Sequence, residues 1–344
     1  MILALILALT PAHATTDVLM LGNSYTQQQD LPSRLQQVFE AAGHAPTVQG
    51  LTSGGLTLAN HAEKAQDKTS SWYEALVTDA DQREWVVLQD QSQIPGFQQS
   101  SSYWKDSMSG AETLNTIVAE AGAETMFFMT WGRRDGDSQN PTRYPDFSTM
   151  QEKLMDGYLS YVDATSAKDR PTWVAPVGLA FAHIYNGLVD QGEDPSATDS
   201  AFYTLYSSDG SHPSASGSYL AACVFYASIT GESPVGLEAP NGFDSTLATF
   251  LQEAAEATVF TETDELDYPW EVSEPPKDTG TSGNDTGESV DTAPPSGSDT
   301  GSVADTGTKP EADQGCGCSA APLSGGVWAS VFVLGALINR RRVE

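Results

Sequence analysis

Basic residues are scarce in this chain. Its 344 residues include 16 Lys and Arg against 46 Asp and Glu, which gives a formal net charge of −30. A field of this sign repels nucleic acid, and no basic stripe runs through the segments that are rich in aromatic and apolar residues. We therefore exclude nucleic acid as a partner and interpret the charge as a strongly hydrated surface.

Cysteine is also scarce, with three residues in the whole chain. Cys223 lies in an apolar helical pattern and is predicted to be a buried small hydrophobe, whereas Cys316 and Cys318 lie near the end of the sequence. No disulfide framework is therefore available to the folded domain. The sequence also lacks a Gly-x-Ser-x-Gly elbow, a P-loop, a His-Glu-x-x-His pair and a Cys-x-x-Cys pair, so it supports no cofactor and no metal requirement.

The first 14 residues are predicted to be a signal peptide. They are mostly apolar and end in Ala12-His13-Ala14, which fits the small-x-small pattern that precedes a signal-peptidase cut. A buried first strand or helix is the alternative. We favour export because the segment from Asp17 onward already makes a good first strand.

The segment 271–315 is predicted to be a disordered acidic linker. Residues 271–313 contain no aromatic residue, Leu, Ile or Met, and Asp-Thr-Gly recurs from positions 278, 285, 299 and 305. Such a composition cannot bury enough apolar surface to offset the entropy of ordering the chain. The repeats are too irregular for an EF-hand calcium loop, which favours a flexible stalk.

The segment 316–344 has the order of parts of a sorting signal. The sequence Gly315-Cys316-Gly317-Cys318 is followed by an apolar stretch at 320–338 and by Arg340-Arg341-Arg342. The stretch is just long enough to span a bilayer, and the arginines would hold its end in the cytoplasm. This arrangement resembles the Myxo-CTERM sorting signal, which implies a sorting protease that cuts near the cysteines and retention at the cell surface.

Residues 15–270 are predicted to form one α/β domain. Continuous apolar runs such as Trp85-Val86-Val87-Leu88 suit a parallel sheet that is buried on both faces, and helical patterns alternate with them. The predicted strands are 17–21, 46–50, 84–89, 124–130 and 172–177. The predicted helices are one that begins after Asp30 and ends at Gly43, and others at 107–121, 148–165, 196–206, 213–230 and 245–257.

Polar residues follow the predicted strands directly. They are Asn23-Ser24, Ser53-Gly54-Gly55, Gln89-Asp90-Gln91-Ser92 and Thr130-Trp131-Gly132-Arg133. Ligands of open α/β sheets bind outside the carboxyl ends of the strands. We therefore expect all these residues to lie at one edge of the sheet.

Two short segments supply a nucleophile, a base and an orienting acid. Ser24 lies on the turn Gly22-Asn23-Ser24-Tyr25-Thr26, and the segment Asp209-Gly210-Ser211-His212-Pro213 precedes a predicted helix. A serine hydroxyl becomes a good nucleophile when a neighbouring histidine takes its proton, and an aspartate can orient that histidine. His44, His61 and His183 have no aspartate at a comparable spacing and are interpreted as surface or packing residues.

These two segments resemble the first and last blocks of the SGNH (GDSL-type) hydrolases, in particular the branch with a Gly-Asn-Ser-Tyr/Phe-Thr first block. The resemblance covers about residues 17–230. It implies a flavodoxin-like three-layer α/β/α sandwich with a five-stranded parallel sheet in the order 2-1-3-4-5, and ester hydrolysis.

The resemblance also implies roles for individual residues. Ser24 would be the nucleophile, and Asp209 and His212 would be the acid and the base. The oxyanion hole would use the amide of Ser24, the amide of Gly54 or Gly55, and a side chain of the third block. That block is normally Gly-x-Asn-Asp and here reads Gln89-Asp90-Gln91-Ser92; by register Gln91 takes the place of the asparagine, and Gln89 is the other candidate.

Further residues of the same edge are candidates for contacts with substrate. Trp131 would stack on a sugar ring, although aromatic residues are more often part of the core. Arg133 would meet an anionic group of the substrate, although an arginine in so acidic a protein also finds carboxylates. Gln89 is a third candidate contact.

The sequence therefore predicts an exported, surface-anchored serine esterase. Its extracellular location favours acyl esters, especially acetyl esters on carbohydrates. Two alternatives stay open: a non-catalytic surface module that binds a glycan or a partner through the same edge, and an acyltransferase that passes the acyl group to a sugar instead of water.

Overall fold

The computed structural model describes residues 17–80, 83–240, 242–262 and 266–271. The predicted signal peptide at 1–14, the sorting signal at 316–344 and all but the first residue of the predicted linker lie outside these ranges. Among the residues that the structure describes, no helix combines the length and the apolar character needed to cross a membrane.

Five parallel strands form one sheet, as predicted. Their spatial order is β2-β1-β3-β4-β5, which confirms the order implied by the resemblance. The strand β1 pairs with β2 and β3, so that Leu21 lies beside Leu51 on one side and Leu88 on the other. The strands are β1 (Asp17–Gly22), β2 (Thr47–Thr52), β3 (Trp85–Leu88), β4 (Glu124–Phe128) and β5 (Trp173–Ala175).

Helices cover both faces of the sheet and connect the strands. They are α1 (Ser24–Gln27), α2 (Leu31–Ala41), α3 (Leu58–Gln66), α4 (Ser71–Tyr73, continued by a π-helical turn at Glu74–Thr78), α5 (Ser102–Glu120), α6 (Phe147–Thr165), α7 (Val177–Asp190), α8 (Ala215–Thr230) and α9 (Ser245–Phe260), with a 3₁₀ turn at Tyr203–Leu205.

Each face of the sheet has its own hydrophobic core, because side chains alternate along a strand. In β1, Val18 and Met20 pack with α2, α7, α8 and α9, whereas Leu19 and Leu21 pack with α3, α5 and α6. Nearly all of α8 is buried, including the free cysteine Cys223, whose burial was predicted. The result is the predicted three-layer sandwich.

Several predicted elements differ from the structure. The segment 196–206 is mostly turns, because Ser200 bonds to the Pro195 carbonyl and Ser196 to the Asp194 carboxylate, and such local bonds compete with a helix. Helices α3 and α7 were not predicted. α7 begins directly after Pro176, within the stretch 172–177 that was assigned to a strand.

Candidate active site

The turn after β1 positions Ser24 at the carboxyl edge of the sheet. Asn23 caps α1, since its Oδ1 accepts a hydrogen bond from the Tyr25 amide at 3.1 Å. Its Nδ2 donates to the carbonyls of Leu56 at 3.0 Å and Asp90 at 3.1 Å. One buried side chain therefore ties the turn at 22–26, which carries the predicted nucleophile Ser24 and is called the nucleophile turn, to the loops that follow β2 and β3.

Gly22 makes this turn possible. A Cβ at this position would lie 2.2 Å from the Thr26 Oγ1 and 2.8 Å from the Gln89 Oε1. Both distances are far shorter than any van der Waals contact. The glycine is needed because the turn lies close to Thr26 of α1 and to Gln89, the residue after β3.

The structure brings together the three residues predicted to react. His212 Nε2 lies 2.9 Å from Ser24 Oγ, and His212 Nδ1 lies 2.6 Å from Asp209 Oδ2. With a neutral imidazole, this arrangement places the proton on Nδ1, where it is donated to the ionised carboxylate, and leaves Nε2 free to accept the serine proton. The geometry is that of a Ser-His-Asp triad.

Asp209 is suited to remain ionised. Burial acts to raise the pKa of its carboxyl, but the hydrogen bonds from the His212 side chain and from the amides of Ser211 and His212 outweigh burial and lower it. Both amides donate to Oδ1 at 2.9 Å. The Asp209 side chain is half exposed and that of His212 is one-quarter exposed, so the triad is open to solvent.

An aromatic stack supports the loop that carries Asp209 and His212. Trp131 stacks on Tyr25 with ring centroids 4.8 Å apart and donates from Nε1 to the Ser211 carbonyl at 3.0 Å. The Tyr25 hydroxyl lies 2.7 Å from Ser211 Oγ, and the Tyr25 ring meets the edge of His212 at 5.4 Å. Tyr25, the residue next to Ser24, thus also contacts His212.

The proposed stacking of Trp131 on a sugar is wrong. The Trp131 side chain is fully buried, with Tyr25 on one side and Phe181 stacked on it at 4.5 Å. Neither face of the indole is open to a ligand. The alternative interpretation of Trp131 as a core residue is the one that the structure supports.

Gln89 is likewise no substrate contact and no oxyanion donor. It is fully buried, and its Oε1 accepts from the Asn23 amide at 3.0 Å and from Thr26 Oγ1 at 2.8 Å. Its Nε2 donates to Asn23 Oδ1 at 2.7 Å and to the Asp90 carbonyl at 2.9 Å. The donors and the acceptor of this amide are all used, and three of its four hydrogen bonds go to Asn23 and Thr26.

Asp90 is a buried carboxylate beside the triad that the sequence did not single out. Its Oδ1 accepts from the amides of Leu58 and Gln91 and from Ser107 Oγ, and its Oδ2 accepts from the Tyr161 hydroxyl at 2.8 Å. Burial raises the pKa of Asp90 to about 6, although these hydrogen bonds act to lower it. Asp90 joins the start of α3 to the loop after β3.

The remaining candidate oxyanion donors lie on open loops. Gly54 and Gly55 are exposed, and Gly55 has a φ of +72°, which favours glycine. The Gln91 side chain is bound to Gln93, with Nε2 donating to Gln93 Oε1 at 3.1 Å and Oε1 accepting from the Gln93 amide at 2.8 Å. The oxyanion roles of Gly54, Gly55 and Gln91 stay predictions.

Arg133 lines a cleft of about 330 Å³ together with Asp209 and Ser211. Its Nη1 lies 2.6 Å from Oδ1 of the buried Asp137, and Arg134 pairs with Asp135 at 2.7 Å. The alternative that these arginines pair with carboxylates is therefore confirmed. A contact of Arg133 with substrate stays a prediction.

The other histidines of the domain stand apart from the triad. His44 pairs with Glu232 at 3.2 Å, and His183 pairs with Glu262 at 2.8 Å. His61 is fully buried and accepts a hydrogen bond from Trp72 Nε1 at its Nδ1. Burial lowers its pKa to about 4.

Comparison with known proteins shows the fold. No protein-family model matches the chain, and no curated protein matches it. A DUF4886 family protein from Bacteroides uniformis is similar in structure, with a TM-score of 0.58, 18% identity, and coverage of 76% of this chain and 100% of that one. This similarity establishes a common fold, and at this identity it establishes no common activity.

Two further solved structures are similar to the chain. A provisionally assigned SGNH hydrolase from Slackia heliotrinireducens is 22% identical, with a TM-score of 0.46 and coverage of 62% of this chain and 97% of that one. A psychrotrophic esterase from Pseudoalteromonas is 14% identical, with a TM-score of 0.41 and coverage of 63% and 97%.

Proposed function

We propose that the chain is a serine ester hydrolase of the SGNH type. The observation that carries the proposal is the continuous chain of short contacts from Asp209 through His212 to Ser24 at the carboxyl edge of the sheet. The resemblance of the first and last blocks supports it. Asn23 replaces the usual aspartate of the first block, and here it caps α1 and ties three loops together.

The geometry supports a two-step mechanism. Ser24 Oγ attacks the acyl carbonyl while His212 Nε2 takes its proton, and the same nitrogen then protonates the departing alcohol. Water attacks the acyl-enzyme with His212 again as the base. Asp209 stays ionised and stabilises the imidazolium that forms in each step.

Backbone amides are the candidates for stabilising the oxyanion. Within the described residues, the amides of Ser24, Gly54 and Gly55 donate to no protein group. They are therefore available to a developing negative charge at the open edge of the sheet. Removal of one such donor typically costs about 10²–10³ in rate.

The location and the substrate belong to the same proposal. Export, the sorting signal and a membrane anchor at 320–338 rest on the sequence patterns at the two ends of the chain. A protein at the cell surface meets polysaccharides, so acetyl esters on carbohydrates are the substrates that we favour.

A fluorophosphonate probe tests the mechanism. The full chain is treated with the probe, and its intact mass is compared with those of Ser24→Ala and His212→Ala. His183→Ala is the matched control, since His183 pairs with Glu262 and is no part of the triad. One adduct on the parent and the control, and none on the two triad variants, is expected. An unlabelled but folded parent would refute an activated serine.

Because the third block lacks the usual asparagine, two alternative functions need a test: a binding module and an acyltransferase. A non-catalytic binding module should keep its affinity for a glycan or a partner when Ser24 becomes alanine, whereas an esterase should lose turnover. An acyltransferase should give acylated sugar, detected by mass spectrometry, when a sugar acceptor is added to the reaction with an activated ester.

A further inference from the structure

A second cleft lies on the surface between the start of α5 and the loop before α6. Its volume is about 520 Å³. We call it the basic cleft, and its lining residues are Phe97, Gln98, Ser101, Tyr103, Asn140, Thr142, Arg143 and Lys153. None of them belongs to the triad or to the candidate oxyanion donors.

The charge of the basic cleft is opposite to that of the protein. Its lining includes Arg143 and Lys153 and no carboxylate, in a chain with 46 acidic and 16 basic residues. Within the described ranges neither cation forms an ion pair. Asp156 borders the adjoining cleft without approaching Lys153 within ion-pair distance. The basic cleft therefore offers two positive charges to an anionic ligand.

One wall of the basic cleft is an exposed aromatic ring on a rigid support. The Tyr103 side chain is 66% exposed, and its ring meets the edge of Phe97 at 6.3 Å. Phe97 in turn stacks at 6.2 Å on the buried Tyr144. A large exposed aromatic on such a base suits a ligand that has both apolar C–H faces and polar groups.

The other lining residues are uncharged hydrogen-bonding groups. Gln98, Asn140, Ser101 and Thr142 supply amides and hydroxyls. Such groups pair with ligand hydroxyls, and an arginine can hold a carboxylate with two parallel hydrogen bonds. An aromatic face, neutral polar groups and two cations together fit a sugar that carries a carboxylate.

The basic cleft is connected to the candidate active site through the loop before α6. Asn140, Thr142 and Arg143 of this loop line the basic cleft, whereas Pro141 and Tyr144 line the cleft beside Asp209. The loop is held in place by the Tyr144 hydroxyl, which donates to the Gln93 carbonyl at 2.6 Å. The two clefts therefore border the same loop.

We propose that the basic cleft binds a carboxylate-bearing oligosaccharide. Binding at this cleft does not depend on catalysis. Only its consequence, a gain in affinity for acidic polysaccharide esters over small esters, rests on the proposed function. The overall negative charge of the protein opposes such a ligand only weakly, since charges beyond about 8 Å are screened at physiological ionic strength.

Isothermal titration calorimetry tests the proposal in the full chain with Ser24→Ala, so that turnover plays no part. The probes are trigalacturonate, neutral maltotriose and a hexaglutamate peptide. Trigalacturonate should bind, more weakly as salt is added, and at least about tenfold tighter than either other probe. Lys153→Gln and Tyr103→Ala should each weaken its binding, and Arg143→Gln with Lys153→Gln should weaken it further.

Lys105→Gln is the matched control, because Lys105 is an exposed lysine of α5 that does not line the basic cleft. It should bind like the parent. The absence of trigalacturonate binding would overturn the proposal, as would equal binding of maltotriose, tighter binding of the peptide, or an equal effect of Lys105→Gln and Lys153→Gln. Fluorophosphonate labelling of the protein with Ser24 intact reports on the proposed function separately.

Discussion

Gln89→Leu is expected to destabilise the domain and to disable the nucleophile turn together. Leucine has nearly the volume of glutamine but neither a donor nor an acceptor. Two buried donors, the Asn23 amide and the Thr26 hydroxyl, would lose the acceptor Oε1. Asn23 Oδ1 and the Asp90 carbonyl would each lose one donor and keep another.

The cost can be worked from these contacts. A buried polar group left without a partner costs about 1–3 kcal/mol, so the two stranded donors together cost about 4 kcal/mol. In a domain of this size about 4 kcal/mol lowers Tm by about 8–16 °C. Because the same contacts hold the turn of Ser24, labelling by the fluorophosphonate probe should also slow.

Thermal and urea unfolding of the full chain measure this effect, with Gln91→Leu as the control. The Gln91 side chain is half-buried and, within the described residues, forms hydrogen bonds only with Gln93, so the loss of its amide group should cost about 1 kcal/mol. If Gln89→Leu also cost no more than about 1 kcal/mol, the buried network around Asn23 would not hold the turn, and the reasoning would be refuted.

Three further predictions concern the triad and its support. Asp209→Asn should lower kcat by at least about 100-fold, because the His212 imidazole loses the carboxylate that orients it. Steady-state kinetics measure kcat, and an unchanged value would exclude the triad. Trp131→Phe removes the donor to the Ser211 carbonyl, which should cost about 1 kcal/mol in urea unfolding and lower kcat more than it raises KM. The pKa of Asp90 is about 6 in the folded protein and 3.8 for the free side chain. The free energy of unfolding should therefore fall by about 3 kcal/mol as pH rises from 4 to 6, because the unfolded chain releases this proton first. Asp90→Asn should remove that loss. The free energy of unfolding should then rise from pH 4 to 6, because His61, whose pKa is lowered to about 4 by folding, is neutral in the folded protein and loses its proton in the unfolded chain over this range. A pH profile of urea unfolding that is the same for the variant and the parent would contradict this.

Much of the fold follows from local pattern. The strands β1, β3 and β4 each contain a run of at least three apolar residues, which is the composition that burial of a strand on both faces favours. The helix α7 was missed because it begins directly after Pro176, where the apolar sequence of β5 continues without a break. Pattern alone cannot tell a buried strand from a buried helix in such a stretch.

The three triad residues could be predicted from the sequence because a serine, a histidine and an aspartate in these motifs have a known way of pairing. Ser24, Asp209 and His212 were paired from their position in the motifs, and the structure places them within hydrogen-bond distance. Gln89 and Trp131 were misassigned because their position after a strand reveals proximity to the site but not the direction of the side chain. Both point inward, and only their partners in the fold show this.

The buried Trp131 helps to hold the triad in place. Ser24 and His212 are 188 positions apart, and the side chain of Asp209, on the same loop as His212, is half exposed. Yet Tyr25, the neighbour of Ser24, contacts both His212 and Ser211, and it lies flat on the buried Trp131, which holds the Ser211 carbonyl. The distance from Ser24 to His212 is therefore set by packed rings and not by a free loop. Such support can hold the His212 ring beside Ser24 before a ligand arrives, so that the mechanism proposed for the triad needs no reorganisation of these two side chains.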